Sequence, residues 1–113
     1  MFAIHDPNDY RSVAPGIRMK TLCFGRQTLM TEFRLLGDAT LPAHAHPHEQ
    51  TGYLVAGHIV LTIGGQTHHV YPGDSWCIPG GVEHGAAILQ DSVAVEVFSP
   101  VREDYLPEGA QAG

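Results

Sequence analysis

A chain of 113 residues, 43% hydrophobic and 16% charged, has the make-up of one folded domain rather than of a disordered segment. Its net charge of −6, with twelve acidic residues against six basic ones and no Lys/Arg cluster, argues against nucleic acid as a partner. No apolar run approaches the roughly 18 residues that a membrane helix needs, and MFAIHDPNDY carries neither a basic nor an apolar leader region, so the cytoplasm is the expected location.

Thirteen Gly and eight Pro are spread along the chain and cut it into short segments, the punctuation of an all-β sandwich or barrel. In chain order, Arg18 to Phe24 and Thr28 to Leu35 read as a hairpin around Gly25-Arg26-Gln27. Thr51 to Val55 and His58 to Ile63 flank a tight turn at Ala56-Gly57. Gln66 to Val70 follows Gly64-Gly65, a two-residue connection that favours a type I′ hairpin because glycine accepts positive φ. Ser75 to Ile78 is a short strand between Pro72-Gly73-Asp74 and Pro79-Gly80-Gly81, and His84 to Leu89 and Ser92 to Ser99 complete the series. One domain spans residues 1–113, with a barrel over about 16–106 and a polar, mobile tail from 107 onward.

Ile59, Leu61 and Ile63 share one strand face, as do Val93, Val95 and Val97, while the opposite faces carry Val60 and Thr62, and Ala94, Glu96 and Phe98. Strands apolar on both sides need cover on both sides, so a homodimer is expected. Cys23 and Cys77 form no CxxC pattern and are expected as free, buried, small apolar residues.

Eight histidines are many for this length, and six of them lie between positions 44 and 69. His44 and His46 are two apart, which in an extended strand aims both imidazoles to one side, and Gln50 keeps that parity if the strand recovers after Pro47. Glu49 carries charge but has the opposite parity; it is the alternative ligand, and His48 is read as a solvated loop residue. A third imidazole can come from His84. Three neutral nitrogens and an amide oxygen suit Ni, Fe, Zn or Mn and leave positions open for water or substrate. His5, His58, His68 and His69 are read as surface residues. Near the C-terminus Glu96 and Phe98 share a face and Arg102 lies just beyond; turned inward, they would give the barrel a carboxyl, an aromatic wall and a guanidinium, and turned outward Glu96 would be solvated.

Together the segments Gly37…His44-Ala-His46-Pro-His-Glu-Gln50…Gly57 and Gly73…Pro79-Gly-Gly81-Val-Glu-His84 resemble the paired motifs of the cupin superfamily, G…HxHxxxE…G and GxxxxxPxGxxH. Gln50 stands where the superfamily usually has glutamate. The resemblance implies a single-domain jelly-roll β-barrel with one divalent metal ion held by His44, His46, Gln50 and His84. From about Gly16 to Leu106, the phrases His44-Ala-His46-Pro-His-Glu-Gln50, Pro72-Gly-Asp-Ser-Trp and Val97-Phe-Ser-Pro-Val-Arg-Glu-Asp-Tyr-Leu are further similar to the small cupins of pectin and alginate breakdown that linearise unsaturated uronates. In that group an acid, a Phe and an Arg at the positions of Glu96, Phe98 and Arg102 complete the active site; the acid is normally Asp.

The expected function is therefore metal-dependent ring opening of a small anionic sugar acid, a 4,5-unsaturated uronate. The metal would serve as Lewis acid, Glu96 as general acid/base, Arg102 as carboxylate clamp and Phe98 as a wall against the sugar. A neutral ligand set leaves the ion its full charge, which favours an anionic substrate over oxygen activation. A dioxygenase-type oxidative enzyme and a non-catalytic sugar-acid binder are the alternatives.

Overall fold

A computed structural model describes residues 1–107; the expected mobile tip of the tail falls outside the described residues. Among the described residues the strands are all antiparallel: β1 Arg11–Ala14, β2 Ile17–Phe24, β3 Leu29–Leu35, β4 Thr40–His44, β5 Glu49–Ile63, β6 Gln66–Val70, β7 Ser75–Ile78 and β8 His84–Ser99. A single 3-10 turn, Glu103–Tyr105, follows β8. Among the described residues no helix is long and apolar enough to cross a membrane.

The two longest strands organise everything else. β5 and β8 pair along their lengths, from Glu49↔Ser99 to Ile63↔His84. The first part of β5 also pairs with β7, and its last part with β6. The last part of β8 pairs with β3, which continues outward to β2 and β1, while its first part pairs with β4. Each long strand therefore passes from one wall to the other, and the two walls enclose a jelly-roll barrel. Between them Ile17, Met19, Leu29, Leu54, Ile59, Ile88 and Phe98 are at most 3% exposed. Burying side chains of this size contributes about 1.5–3 kcal/mol each.

The long strands correct two expectations. Ala56-Gly57 is no hairpin turn, and Gln90-Asp91 does not end a strand; β5 and β8 run straight through both points. What the sequence marks there is a bend. The β5–β8 register shifts between Leu54 and Ala56, again between Ala56 and His58, and again between His58 and Ile59, and such bulges bend a strand and sharpen its twist. Gly57 makes the bend feasible: its φ is +97°, and a Cβ there would run into Ser92 Oγ and the Asp91 carbonyl. Ser92 Oγ fills the gap by accepting from His58 N at 3.0 Å and donating to the Gln90 carbonyl at 2.7 Å. The Gly64-Gly65 turn is as expected, with φ of +55° and +83°. β1 and β4 escaped the sequence reading.

Burial also decides which faces look inward. On β8 Ala94 and Phe98 are buried, whereas Val93, Val95 and Val97 lie on the outer face and are half-buried. That outer face continues through Tyr53 and Val55, each 49% exposed, and Met30. Both cysteines are free, yet neither is the buried residue expected: Cys23 is half-buried and Cys77 exposed, because residue 77 alternates with inward-facing Trp76 and Ile78 on β7.

Candidate metal centre

Two strand ends and one turn build the histidine cluster. His44 is the last residue of β4 and His84 the first of β8; they are Cα partners, and their ring centroids lie 4.3 Å apart. His46 follows in the turn to β5, its ring 5.0 Å from that of His84 and 5.8 Å from that of His44. One nitrogen from each imidazole comes within 4.8 Å of the other two. Gln50, the second residue of β5 and 6% exposed, brings Oε1 to 3.0 Å from His46 Nε2. Glu49 points to solvent. Of the two neighbours it is Gln50 that faces the cluster, although the strand does not run on from His46 to Gln50: β4 has ended and β5 begins anew at Glu49.

Each of the three rings is tied at the same atom. Nδ1 lies 3.0 Å from the Pro42 carbonyl in His44, 3.0 Å from the His48 carbonyl in His46 and 2.9 Å from the Val82 carbonyl in His84. A carbonyl only accepts, so each Nδ1 carries the hydrogen and each Nε2 presents a lone pair. Nε2 of His84 is buried without a hydrogen-bond partner. In His46 the lone pair meets the carbonyl oxygen of Gln50, whose NH2 end is committed elsewhere, to Glu96 Oε1 at 2.6 Å. Two acceptors facing each other and an orphaned buried lone pair cost free energy when nothing lies between them. A cation satisfies all of them at once, and imidazole with amide oxygen is a donor set that divalent transition metals accept. The three histidines can hold a metal ion.

Desolvation holds the His46 and His84 imidazoles below the usual histidine range, with Arg102 and the neighbouring histidines adding charge repulsion. Both are therefore kept neutral, the form that binds metal.

The cluster opens on a cavity of about 400 Å³ inside the barrel, and the C-terminal residues meet it there. Glu96, Phe98 and Arg102 all line the cavity, so the inward alternative for that face is the observed one. Burial pushes the Glu96 carboxyl up, against the opposing effects of Gln50, Trp76 and Arg102. Phe98 is 1% exposed and sets its ring edge-on to His46 at 5.8 Å. The Arg102 guanidinium stacks on Tyr105 at 4.0 Å from the ring centre and reaches over Phe98 at 5.3 Å. Asp104 takes its Nε at 3.1 Å. Among the described residues nothing accepts from its two terminal nitrogens.

Two cavity residues lie inside the cupin-like phrases, yet the sequence assigns them no site role. Trp76 donates Nε1–H to Glu96 Oε1 at 3.1 Å, and Tyr105 supports Arg102 while meeting Phe98 edge-on at 5.4 Å. Of the remaining histidines, His58 and His69 pair with each other at 2.9 Å away from the cluster, and His5 and His68 are exposed. His48 has its backbone carbonyl on His46, and its ring sits 5.5 Å from that of His46.

No curated protein sequence matches the chain. Among solved structures it is similar to KdgF from Halomonas sp., at 31% identity and a TM-score of 0.88, over 94% of this chain and 98% of that one. It is also similar to an RmlC-like cupin from Shewanella frigidimarina NCIMB 400, at 27% identity and a TM-score of 0.87, over 93% and 95% of the two chains. The polyketide cyclase RemF from Streptomyces resistomycificus shares the fold, at 24% identity and a TM-score of 0.76, over 90% of this chain and 80% of that one. Residues 31–100 match the Cupin domain family (Cupin_2), and with the histidine cluster on the jelly roll this identifies the chain as a member of the cupin superfamily.

Proposed function

We propose that the protein is a metal-dependent enzyme that opens the ring of a 4,5-unsaturated uronate. The observation that carries this reading is the convergence of a His44, His46, His84 and Gln50 donor set with Glu96, Phe98 and Arg102 on one cavity. Resemblance to the uronate-linearising cupins in the HPHEQ and FSPVREDYL phrases supports it, as does the 31% identity to KdgF from Halomonas sp..

His44, His46, His84 and Gln50 would hold one divalent ion of Ni, Fe, Zn or Mn, which when bound supplies Lewis acidity toward a sugar oxygen. Arg102 receives the substrate carboxylate on its two terminal nitrogens, the pair that Asp104 leaves open, and the Tyr105 stack fixes the plane of that fork. Glu96 takes the proton of the anomeric hydroxyl. The electron pair left on the hydroxyl oxygen forms the aldehyde C=O as the bond between the anomeric carbon and the ring oxygen breaks. The ring oxygen becomes the carbonyl of carbon 5, and the electrons of the former C4–C5 double bond take the proton at carbon 4. The product is an open-chain keto-aldehyde isomeric with the substrate. Burial raises this carboxyl, which makes its ionised form a stronger base than an exposed carboxylate and suits it to taking and returning a proton. Phe98 keeps water from the reacting face. The apolar outer strip around Tyr53, Val55 and Met30 is the surface we assign to a homodimer, and the cytoplasm remains the location we propose.

The direct test follows the ultraviolet absorbance of the ring double bond in 4,5-unsaturated galacturonate. Metal-loaded protein should remove it faster than the spontaneous rate, and a chelator should abolish the difference. No acceleration with confirmed metal content removes this substrate. Oxygen uptake would then point to an oxidative cupin, and tight sugar-acid binding without conversion to a binding protein.

A further inference from the structure

Strands β7, β5 and β8 lie side by side, and their register sets Trp76, Gly52 and Glu96 in one row: Gly52 is the Cα partner of Trp76 on one side and of Glu96 on the other. Any side chain at position 52 would stand between the outer two. Glycine leaves the lane open, and the indole lies across it so closely that a Cβ on Gly52 would fall among ring atoms Cε2, Cζ2 and Nε1. The indole can then deliver Nε1–H to Glu96 Oε1 at 3.1 Å, the same oxygen that accepts from Gln50 Nε2 at 2.6 Å.

The consequence falls on Gln50. The two ends of an amide are alike in shape and opposite in hydrogen bonding. Left alone, Gln50 would turn its NH2 toward the lone pair on His46 Nε2 and make a good hydrogen bond there, which would put hydrogens where a metal ligand is needed. Glu96 Oε1 can only accept from Gln50, so it claims the NH2 end and turns the carbonyl oxygen to the histidines, 3.0 Å from His46 Nε2. This holds whether or not the other carboxyl oxygen carries a proton. We propose that Glu96 and Trp76 are positioning residues for the metal centre: Trp76, lying over Gly52, fixes Oε1 of Glu96, and Glu96 holds the Gln50 amide with its oxygen toward His46. The inference rests on the metal reading above and not on the choice of substrate. Among the described residues nothing donates to Oε2 of Glu96, so the same carboxyl keeps one oxygen for the cavity.

The test measures the affinity of the whole protein for Zn²⁺ alone, by competition with a chromophoric chelator, beside melting curves without metal. Trp76→Phe removes the donor and keeps an aromatic filler, and it should weaken Zn²⁺ binding by roughly threefold to tenfold, less than the roughly 10–100-fold that direct partners of metal ligands contribute, because Trp76 acts one step further out. Glu96→Ala and Glu96→Gln both remove the charge, but only the Gln variant keeps an acceptor for the two donors; it should bind about tenfold more tightly than the Ala variant. In a Gln50→Ala background there is no amide to orient, and both differences should shrink to within about twofold. Unchanged affinity in Trp76→Phe, equal affinity of the two Glu96 variants, or the same losses with Gln50 absent would overturn the positioning roles. Should Glu96→Ala fail to fold, Trp76→Phe with and without Gln50 decides alone. Wild-type protein that binds no Zn²⁺ would remove the metal reading and the positioning roles together, whereas wild-type binding with indifferent variants leaves the proposed function standing.

Discussion

His44 and His84 are neighbours only because β4 and β8 pair antiparallel at their ends: their Cα atoms are register partners, although forty positions separate them in the chain. The pairing brings a buried, partnerless Nε2 of His84 to face the cluster. His84→Ala should therefore abolish tight binding of Zn²⁺ or Ni²⁺ and leave the fold intact, since His84, though buried, begins its strand and lies outside the hydrophobic cluster. In wild-type protein, metal at one hundred times its Kd should add about 2.7 kcal/mol of stability. Calorimetric titration and melting with and without metal check both halves. An undiminished metal-induced rise in Tm in the variant would show that the ion binds elsewhere.

Acid should strip the metal only well below neutrality. Desolvation, reinforced by Arg102 and the neighbouring rings, lowers the values of His46 and His84 from 6.5. Protons compete with metal for a nitrogen once pH falls below that nitrogen's metal-free value. A lowered value moves this competition to more acid pH, so the ion should be retained through pH 6.5 and released in the range beneath it. Metal content after equilibration across that range, read by atomic emission, reports the midpoint. Release already complete near pH 7 would contradict the assignment of these two nitrogens.

Much of this centre could be read from residue order, and the exceptions have physical causes. The parity of His44, His46 and Gln50 is a local property, and all three side chains meet in one cluster even though a turn interrupts the strand. Local punctuation misled at Gly57, where glycine serves a bend inside β5 and meets no turn. β4 was hidden by Pro42, which reads as a breaker; the pairing of β4 with β8 shifts register between Leu41 and His44, the stretch in which Pro42 lies. Trp76 was invisible as a site residue for a different reason. Its reach to Glu96 depends on an absent side chain at Gly52, and that gap means something only once the β7–β5–β8 register is known.

The bend at Gly57 should be intolerant of a side chain. At φ +97° any L residue is strained, and a Cβ would also meet Ser92 Oγ and the Asp91 carbonyl on β8, both fixed by the strand. Gly57→Ala should cost at least about 2 kcal/mol, which in a domain of this size lowers Tm by roughly 8 °C or more. Gly65→Ala is the control: its φ of +83° brings similar backbone strain, but nothing lies within 4 Å of the added Cβ. Thermal unfolding of the two variants separates collision from strain, and equal losses would show that the contact with β8 adds nothing.

Arg102 gives the sharpest separation of binding from fold. Its guanidinium is held by the Tyr105 stack and by Asp104 at Nε, and neither contact involves the histidine cluster. If the two free terminal nitrogens clamp a substrate carboxylate, Arg102→Ala should lower kcat/KM on the unsaturated uronate by about 10²-fold, the equivalent of two charge-assisted hydrogen bonds, with metal content unchanged. Arg102→Lys keeps the charge but loses the planar fork and the ring stacking, so it should recover only part of the loss. A rise in KM at constant kcat would mean that the clamp acts equally in substrate and transition state, and a fall in kcat that it also aligns the carboxylate for proton transfer. Unchanged turnover in Arg102→Ala would return the residue to a structural role, as the cap that Phe98 and Tyr105 hold at the end of the barrel.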